Sequence, residues 1–543
     1  MKLDLNTPEA PADLDAWKTL VAKADPIEKR LSRLTRRDSS GVVYPLVAES
    51  GSTQQTHPLG DQATFTARLG KAPTWDVRAV LSIADEVQGN ASVLDALSHG
   101  ATTLEFRLGE LKSCSLERLF TDVTRSFVNL LIVVEREDSD SDISALKSQV
   151  ESFKSCTWTS TTPSAPFAYC NKSHKVALSS LDAIDRGAHP ALELASLLSS
   201  AVGYYREGGT DALSSKYGPA LYITTESTIF MNIAKLRALK RLYEGIRSSL
   251  HVSHPWELFT LSSPRSWTRD APWNNQLRAT ASLMSASIGG ATSIGVLPAT
   301  DSLESQRIAL TAHSVAALES HLGQVDDPAR GSYLIESLTN DLAKAAWSMF
   351  QTIEQAGGIG AKDGQEAFSK MVTSALQERE DNLARRARSY VGVSEFPSLE
   401  DDPSDTLSAL KGHQRDSEAF ELLRHNSHDT LIRLVTLGSP ARHLARKTFA
   451  EHALAAGGFS ATNVSLEEAA GTEFTGIQIL CGHDDDYESS KEQIEKILGS
   501  STTMTFLASK KALGDLLPPE QRLYLGMNLL GFLQSIAKVQ KES

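Results

Sequence analysis

Two hydrophobic patterns alternate along the chain. A solid apolar run occurs at Phe127 to Val134 (F-V-N-L-L-I-V-V) and a brief one bounded by turn formers at Ser293 to Leu297, with further strand candidates at Lys175 to Leu178 and Ala220 to Thr224. Short runs with no polar face predict strands buried on both sides, as in a parallel sheet. Between them, apolar residues return every three or four positions. One set is Leu194, Leu197, Leu198, Ala201 and Tyr205; a second is Ile229, Ile233, Leu236, Leu239, Tyr243 and Ile246; a third is Leu338, Leu342, Ala345, Met349 and Ile353. These stripes predict amphipathic helices. Asp95 to Leu108 (D-A-L-S-H-G-A-T-T-L-E-F-R-L) reads as a helix end, a glycine stop and a strand. The small residues Ala279, Ala281, Ser285, Ala286 and Ser287 predict a helix lying close on a sheet. Asp326 to Ser332 has the Asp, Pro and Gly content of a rigid loop. Strand and helix in alternation predict a parallel β/α architecture.

This body spans residues 61–395. Before it, residues 1–60 hold one amphipathic piece around Leu14 to Leu34 and then polar sequence, which either orders on another surface or stays free. After it, residues 396–428 read as an acidic, proline-bearing linker (F-P-S-L-E-D-D-P-S-D). Residues 429–543 repeat the alternation on a smaller scale. Strands are expected at Leu431 to Leu437, Gly476 to Cys481 and Met504 to Leu507. Helices are expected at His443 to Ala456, Glu492 to Leu498 and Leu523 to Ile536. That order predicts a small doubly wound domain of flavodoxin-like type.

Composition narrows the function classes. The chain has 543 residues, enough for two or three domains with sizeable cores. Its net charge of −13 argues against binding nucleic acid or an anionic membrane, both of which need a basic surface. No apolar run approaches a membrane span, and the polar, acidic N-terminus (M-K-L-D-L-N-T-P-E-A-P-A-D) is unlike a presequence, so a cytoplasmic protein is expected. Cys114, Cys156, Cys170 and Cys481 are scattered without C-x-x-C spacing, which predicts reduced thiols rather than a zinc or disulfide framework.

The most specific pattern lies between Trp267 and Gly358. It comprises Asn274-Asn275 with Arg278, the Gly289-Gly290 pair, Glu319-Ser320, and D-P-A-R-G-S-Y-L-I-E-S-L-T from Asp327. This long gapped pattern resembles the barrel of the methylmalonyl-CoA mutase family, the adenosylcobalamin-dependent acyl-CoA mutases. T-W-D-V-R (Thr74 to Arg78), L-S-H-G-A-T-T-L, H-Q-R-D-S-E-A-F-E-L-L (His413 to Leu423) and the terminal R-L-Y-L-G-M are similar to the family's small (β) subunits. The resemblance implies a (β/α)8 TIM-type barrel over 61–395, then a smaller flavodoxin-like doubly wound domain over 429–543 that is a degenerate cobalamin-binding domain. It assigns structural signature roles to Trp75, Arg78, Asn275, Arg278, Gly289, Gly290, Glu319, Asp327, Pro328, Gly331, Ser332 and Tyr333. It implies a heterodimer in which a catalytic large subunit binds adenosylcobalamin and interconverts (R)-methylmalonyl-CoA and succinyl-CoA. The 1–60 arm would wrap that partner. No catalytic residue, cofactor or metal is expected in this chain. One departure is R-D-A-P-W, where Ala271 separates Asp270 from the proline and puts the local capping role of Asp270 in doubt.

Position by position, the chemistry the resemblance would bring is missing. Catalytic members carry a Tyr-His pair beside the substrate; here Leu181 and Asp182 stand there. The family's cobalamin signature is Asp-x-His-x-x-Gly, whose histidine ligates cobalt while the aspartate orients its ring. Leu437 to Arg446 (L-G-S-P-A-R-H-L-A-R) puts Pro440, Arg442 and Ala445 at those places, with His443 one position off. Thr292 and Gly295 replace a glutamine and a histidine that face the cofactor in active members. His189, followed by Pro190, reads as a helix-start residue. Trp75 and Arg78 could stack on adenine and pair with phosphate, but a packed Trp with Arg78 bridged to Asp76 or a neighbour is favoured. There is no P-loop, G-x-S-x-G, H-E-x-x-H or post-strand G-x-G-x-x-G. His483 with Asp484, Asp485 and Asp486 reads as a solvated acidic loop. The expected function is a non-catalytic small subunit. The alternatives are the catalytic chain of a split acyl-CoA mutase, which needs the missing Tyr-His pair, and an acyl-CoA-sensing regulatory protein.

Overall fold

The computed structural model describes residues 74–399 and 407–542, apart from 84, 112–113, 136–143, 145, 147–148, 161–174, 214–217, 427–429, 500–502 and 512–516, together with 17, 19, 36–37 and 40–44. Eight parallel strands close into a barrel: β1 (Asp76–Val80), β2 (Thr103–Arg107), β3 (Asn129–Val134), β4 (Ser155–Ser160), β5 (Lys175–Ser179), β6 (Ala220–Thr225), β7 (Leu258–Ser262) and β8 (Ser293–Val296). Each pairs with the next in sequence, and β8 returns to β1 in the register Gly295↔Arg78. The helices around it are α1 (Glu86–Ser98), α2 (Pro190–Leu213), α3 (Ile229–Ser249), α4 (Asn274–Ile288), α5 (Leu303–Ser314), α6 (Tyr333–Gln355) and α7 (Lys362–Ala384). The stripes read from sequence are the buried ones. Leu194, Leu197, Leu198 and Ala201 of α2, Leu236, Leu239 and Tyr243 of α3, and Leu338, Leu342 and Ile353 of α6 share one core cluster.

Some sequence expectations are corrected. Strands β1, β4 and β7 carry Asp, Arg, Thr and Ser, so no solid apolar run announces them; apart from the half-buried Asp76 and Ser155, their polar side chains are buried. Phe127 does not join β3. It ends a short 3-10 turn, Arg125–Phe127, and is 76% exposed.

The family-signature loop is held by charge. Asp327, at a positive φ of 45°, accepts Arg237 Nε at 2.8 Å and Nη2 at 3.0 Å. Arg237 Nη2 also reaches Glu336 at 2.6 Å, and the N–H of Gly331 donates to the same carboxylate at 3.2 Å. Burial opposes ionisation of Glu336, yet hydrogen bonds from Arg237 and Arg241 pull its carboxyl down to about 2. Pro328 and Gly331 (φ 83°) shape the turn, Ser332 precedes α6 and Tyr333 opens it, 47% exposed. Gly289 ends α4 where a Cβ would lie 2.6 Å from Leu236 Cδ1, so α4 can approach α3 only with glycine there. Gly290 follows at φ 72°. Asn275 and Arg278 of α4 hold the preceding loop: Arg278 Nη1 donates to Asn275 Oδ1 (2.7 Å) and Thr268 Oγ1 (2.9 Å), and Nη2 to Val391 O (3.1 Å). Asp270 accepts Arg424 and His425, each at 2.7 Å, so it anchors a later helix, α8 (Glu418–His425). Glu319 is exposed.

A second parallel sheet follows, with β9 (Ile432–Thr436), β10 (Thr462–Ser465), β11 (Gly476–Cys481) and β12 (Thr503–Leu507) in the order β10-β9-β11-β12. One face packs Ile432, Leu434, Ile477 and Ile479 against α9 (Pro440–Ala455) and a C-terminal helix, Leu529–Glu542. The other packs Val435, Leu480 and Leu507 with Leu466, Ile494 and Ile497. The expected final helix from Leu523 is a correction: Leu523 N–H donates to Leu507 O at 2.8 Å, so that stretch lies as an edge bridge along β12 and the helix starts at Leu529.

Near the N-terminus, Arg36–Arg37 and Val43–Tyr44 form a hairpin whose Val42 is buried with the α2/α6 cluster. The amphipathic piece around Leu14 to Leu34 lies outside the described residues, except for 17 and 19.

Asp327→Asn keeps the shape and tolerates the left-handed backbone but removes the charge facing a guanidinium that is 5% exposed. Loss of a charge-assisted bond there should cost about 2 kcal/mol. The urea midpoint of the barrel transition, followed by near-UV circular dichroism, should fall, while Glu319→Ala should shift it by less than about 0.5 kcal/mol.

Candidate functional site

A β/α barrel presents its site at the C-terminal ends of the strands, and a doubly wound sheet at the crevice where strand order reverses. Both places are occupied by the chain's own side chains.

At the barrel mouth, among the described residues, a cavity of about 30 Å3 is lined by Leu81, Phe106, Leu181, Leu261, Leu297 and His413 among others. That holds roughly one water molecule, against the roughly 300 Å3 at which small-molecule pockets begin. The lid is the stretch 407–416. Leu407 and Leu410 are buried in the barrel core. Arg107 Nη1 donates to Lys411 O at 2.8 Å, Ser408 Oγ to Asp301 at 3.0 Å, and His413 Nδ1 lies 2.7 Å from Asp185 Oδ2. Asp416 closes the seam. It accepts Arg265 Nε (2.8 Å), Arg379 Nη2 (2.7 Å) and Tyr390 Oη (2.7 Å). Burial would raise its carboxyl, but Arg379, Arg388 and Arg265 hold it below its ordinary range.

Beneath the mouth, the barrel axis is filled by Arg78, which is fully buried. Its Nε lies 2.8 Å from Glu105 Oε2, Nη1 donates to Ser293 Oγ at 3.2 Å, and Nη2 donates to Thr260 O. The guanidinium sits over the rings of Tyr222 (4.9 Å) and Phe259 (5.5 Å), and Tyr222 Oη donates to Glu105 Oε1 at 2.9 Å. A Cβ on Gly295 would stand 2.9 Å from two Arg78 nitrogens, so glycine there makes room for the plug. The partner is Glu105, not Asp76, which instead accepts Thr102 and Thr103 hydroxyls at 3.0 Å.

The other sequence candidates separate. Trp75 is packed at the opposite end, donating Nε1 to His313 Nδ1 at 2.9 Å. Thr292 is also at that end, where its hydroxyl accepts Leu258 N–H at 2.8 Å; it does not face the mouth with Gly295. Leu181 reaches the mouth as an apolar group, and Asp182 pairs with Arg186 at 3.4 Å. His189 Nδ1 accepts Leu192 N–H at 3.2 Å at the start of α2, and burial pushes its ring down to about 4. Glu105, Tyr222 and His313 were not singled out from sequence. A lone Glu in the L-E-F-R strand was the available signal for a buried partner to Arg78.

In the second domain, the crevice between β9 and β11 is crossed by Arg442, whose Nε donates to Asp486 Oδ2 at 2.8 Å. Pro440 is the first residue of α9, Ala445 is exposed, and His443 Nδ1 lies 3.3 Å from Gly438 O. His483 caps the helix Asp484–Ser489 in a capping box with Asp486, and Asp484 accepts Arg446 at 2.7 Å. These residues do not fit a corrinoid: an arginine tied to a carboxylate stands where an axial imidazole is needed. Among the described residues no group of three or more His, Cys, Asp or Glu could hold a metal. Cys156 and Cys481 are free and buried, and burial pushes Cys481 up to about 12.

His313 is pushed down to about 3 by burial first and by Arg78 second. Unfolded, it titrates near 6.5, so between those values the unfolded chain binds the extra proton. Stability from His313 and His189 is therefore complete above pH ~6.5 and is lost as pH falls. Thermal midpoints between pH 4 and 7.5 should decline on acidification. His313→Gln should flatten that decline by up to about 1.4 kcal/mol per pH unit.

Comparison with known proteins places this geometry. The family model described as methylmalonyl-CoA mutase matches residues 161–464, more than half of the chain. The methylmalonyl-CoA mutase small subunit of Streptomyces virginiae is 29% identical over 521 residues, covering 85% of this chain and 84% of that protein. The small subunit from Propionibacterium freudenreichii subsp. shermanii is 29% identical over 532 residues (87% and 83%). A probable small subunit from Mycobacterium tuberculosis is 28% identical over 554 residues (88% of each). The chain therefore belongs to the methylmalonyl-CoA mutase family.

Proposed function

We propose that this chain is the non-catalytic small subunit of a heterodimeric methylmalonyl-CoA mutase. The observation that carries this reading is the filled barrel. A ligand-sized space is absent from the mouth among the described residues, and a buried ion pair occupies the axis below it. The names of the relatives above support the subunit assignment. On this reading the large subunit binds adenosylcobalamin and carries out the interconversion of (R)-methylmalonyl-CoA and succinyl-CoA, a radical rearrangement that the cofactor supplies. No step of it is assigned to residues of this chain. Arg442, Pro440 and Ala445 give a corrinoid neither ligand nor clearance, so none binds here.

The domain limits 1–60, 61–395, 396–428 and 429–543 belong to the same reading, with the first segment wrapping the partner. The last domain is read as flavodoxin-like, supported by its strand order, its two covered faces and the Leu507↔Arg522 bridge in the place of a fifth strand. The complex is read as cytoplasmic; no helix among the described residues is long and apolar enough to cross a membrane. A split-enzyme catalytic chain is disfavoured because Leu181 supplies no proton donor at the mouth.

Co-expression with the large subunit should yield a one-to-one complex. Mutase assays with adenosylcobalamin should show activity for the mixture and none for this chain alone. Independent activity of this chain would sink the reading.

A further inference from the structure

A cavity with several charged side chains on its wall lies outside both filled sites. It measures about 230 Å3 and opens between the first turn of α3, the start of α2 and α7. That is below the roughly 300–1,000 Å3 of sites for drug-sized molecules, so its occupant has few atoms. Its wall carries Arg37, Lys235, Arg379 and Arg388 against Glu193 and Glu226.

The carboxylates are already engaged. Glu193 Oε1 accepts Ser180 Oγ at 2.8 Å, Thr224 N–H at 3.1 Å and Thr224 Oγ1 at 2.8 Å, and Oε2 accepts Lys235 Nζ at 2.6 Å. Glu226 accepts Arg379 Nη2 at 3.0 Å and Arg388 Nη2 at 2.6 Å. The cations are not exhausted. Arg379, with a side chain 5% exposed, spends Nε and Nη2 on Asp416 and Glu226, whereas its Nη1 has no hydrogen-bond partner among the described residues. Lys235 Nζ makes one of the three bonds an ammonium can donate. Asp416, the arginines' other partner, is not on the pocket wall.

The backbone adds to this. Thr228, Met231 and Asn232 of the first turn of α3 line the cavity, and Thr228 provides no side-chain cap. The leading N–H groups of a 21-residue helix, and the positive end of its dipole, are thus left at the pocket. The N-terminal hairpin completes the rim with Arg37 and Tyr44, and is pinned there by the N–H of Ala191 donating to Ser40 Oγ at 3.3 Å.

We propose that this pocket is a binding site for a small, doubly charged oxyanion, either phosphate or a short dicarboxylate. It goes beyond the subunit reading and does not depend on it, since binding is measured on this chain without the partner or any mutase assay. Titration calorimetry on the full chain with inorganic phosphate and with succinate should give saturable one-site heat for at least one of them, with Kd below about 1 mM. Which anion binds identifies the source. Acetate, a single charge, should bind at least about tenfold more weakly.

Asn382 is on the pocket wall, and its side chain takes no part in the arginine network, so Asn382→Asp adds an isosteric negative charge there. It should weaken binding at least about tenfold with an unchanged circular dichroism spectrum. Arg388→Gln should do the same. Absence of saturable heat from both dianions, equal heat from acetate, or undiminished binding by Asn382→Asp would each overturn the proposal.

Discussion

A guanidinium on the axis of a closed barrel is the constraint on which the rest of the molecule depends. Removing a charge from water costs several kcal/mol unless every side of it is compensated. Arg78 meets that condition through Glu105, Ser293, the Thr260 carbonyl and the faces of Tyr222 and Phe259. Those groups come from β1, β2, β6, β7 and β8, so the arrangement exists only when the barrel is shut and dry. Gly295 is required because any side chain there would strike the guanidinium. Closure of the barrel and burial of this charge are the same physical fact.

The second parallel sheet carries an arginine–carboxylate pair of its own. Arg442 spans the crevice between β9 and β11 and takes a carboxylate, Asp486, from the short helix Asp484–Ser489. The setting differs, because Arg442 is 42% exposed and its pair is worth far less than the one inside the barrel. The barrel is shut by necessity of charge burial. The crevice is merely bridged.

Much of this was legible in the sequence, and the limits have physical causes. Strands buried on both faces, such as β3 and β6, announced themselves as apolar runs, and α3 as a stripe. The loop at Asp327 could be read from its Asp, Pro and Gly content, though not the Arg237 clamp, because the two are far apart in sequence. Strands β1, β4 and β7 were hidden because their buried side chains are partly polar, so no periodicity marks them. The departures from the resemblance at Leu181, Arg442 and Gly295 were visible as residue types. The match of Arg78 with Glu105 was not, since it follows from barrel register alone. Thr292 shows the converse: the resemblance set it beside Gly295 at one site, yet the strand places the two at different heights.

Asp416 has a consequence in time as well as in space. It is the shared acceptor for Arg265, Arg379 and Tyr390, all of which precede it in the chain. During synthesis, every barrel strand emerges before the residue that gathers this trio. Until the segment after residue 407 arrives and seats Leu407 and Leu410, Arg379 has Glu226 but neither it nor Arg265 has its shared acceptor. The lid is thus a late stitch in the order of biosynthesis, and the barrel mouth is not finished until the chain has begun the passage to its second sheet.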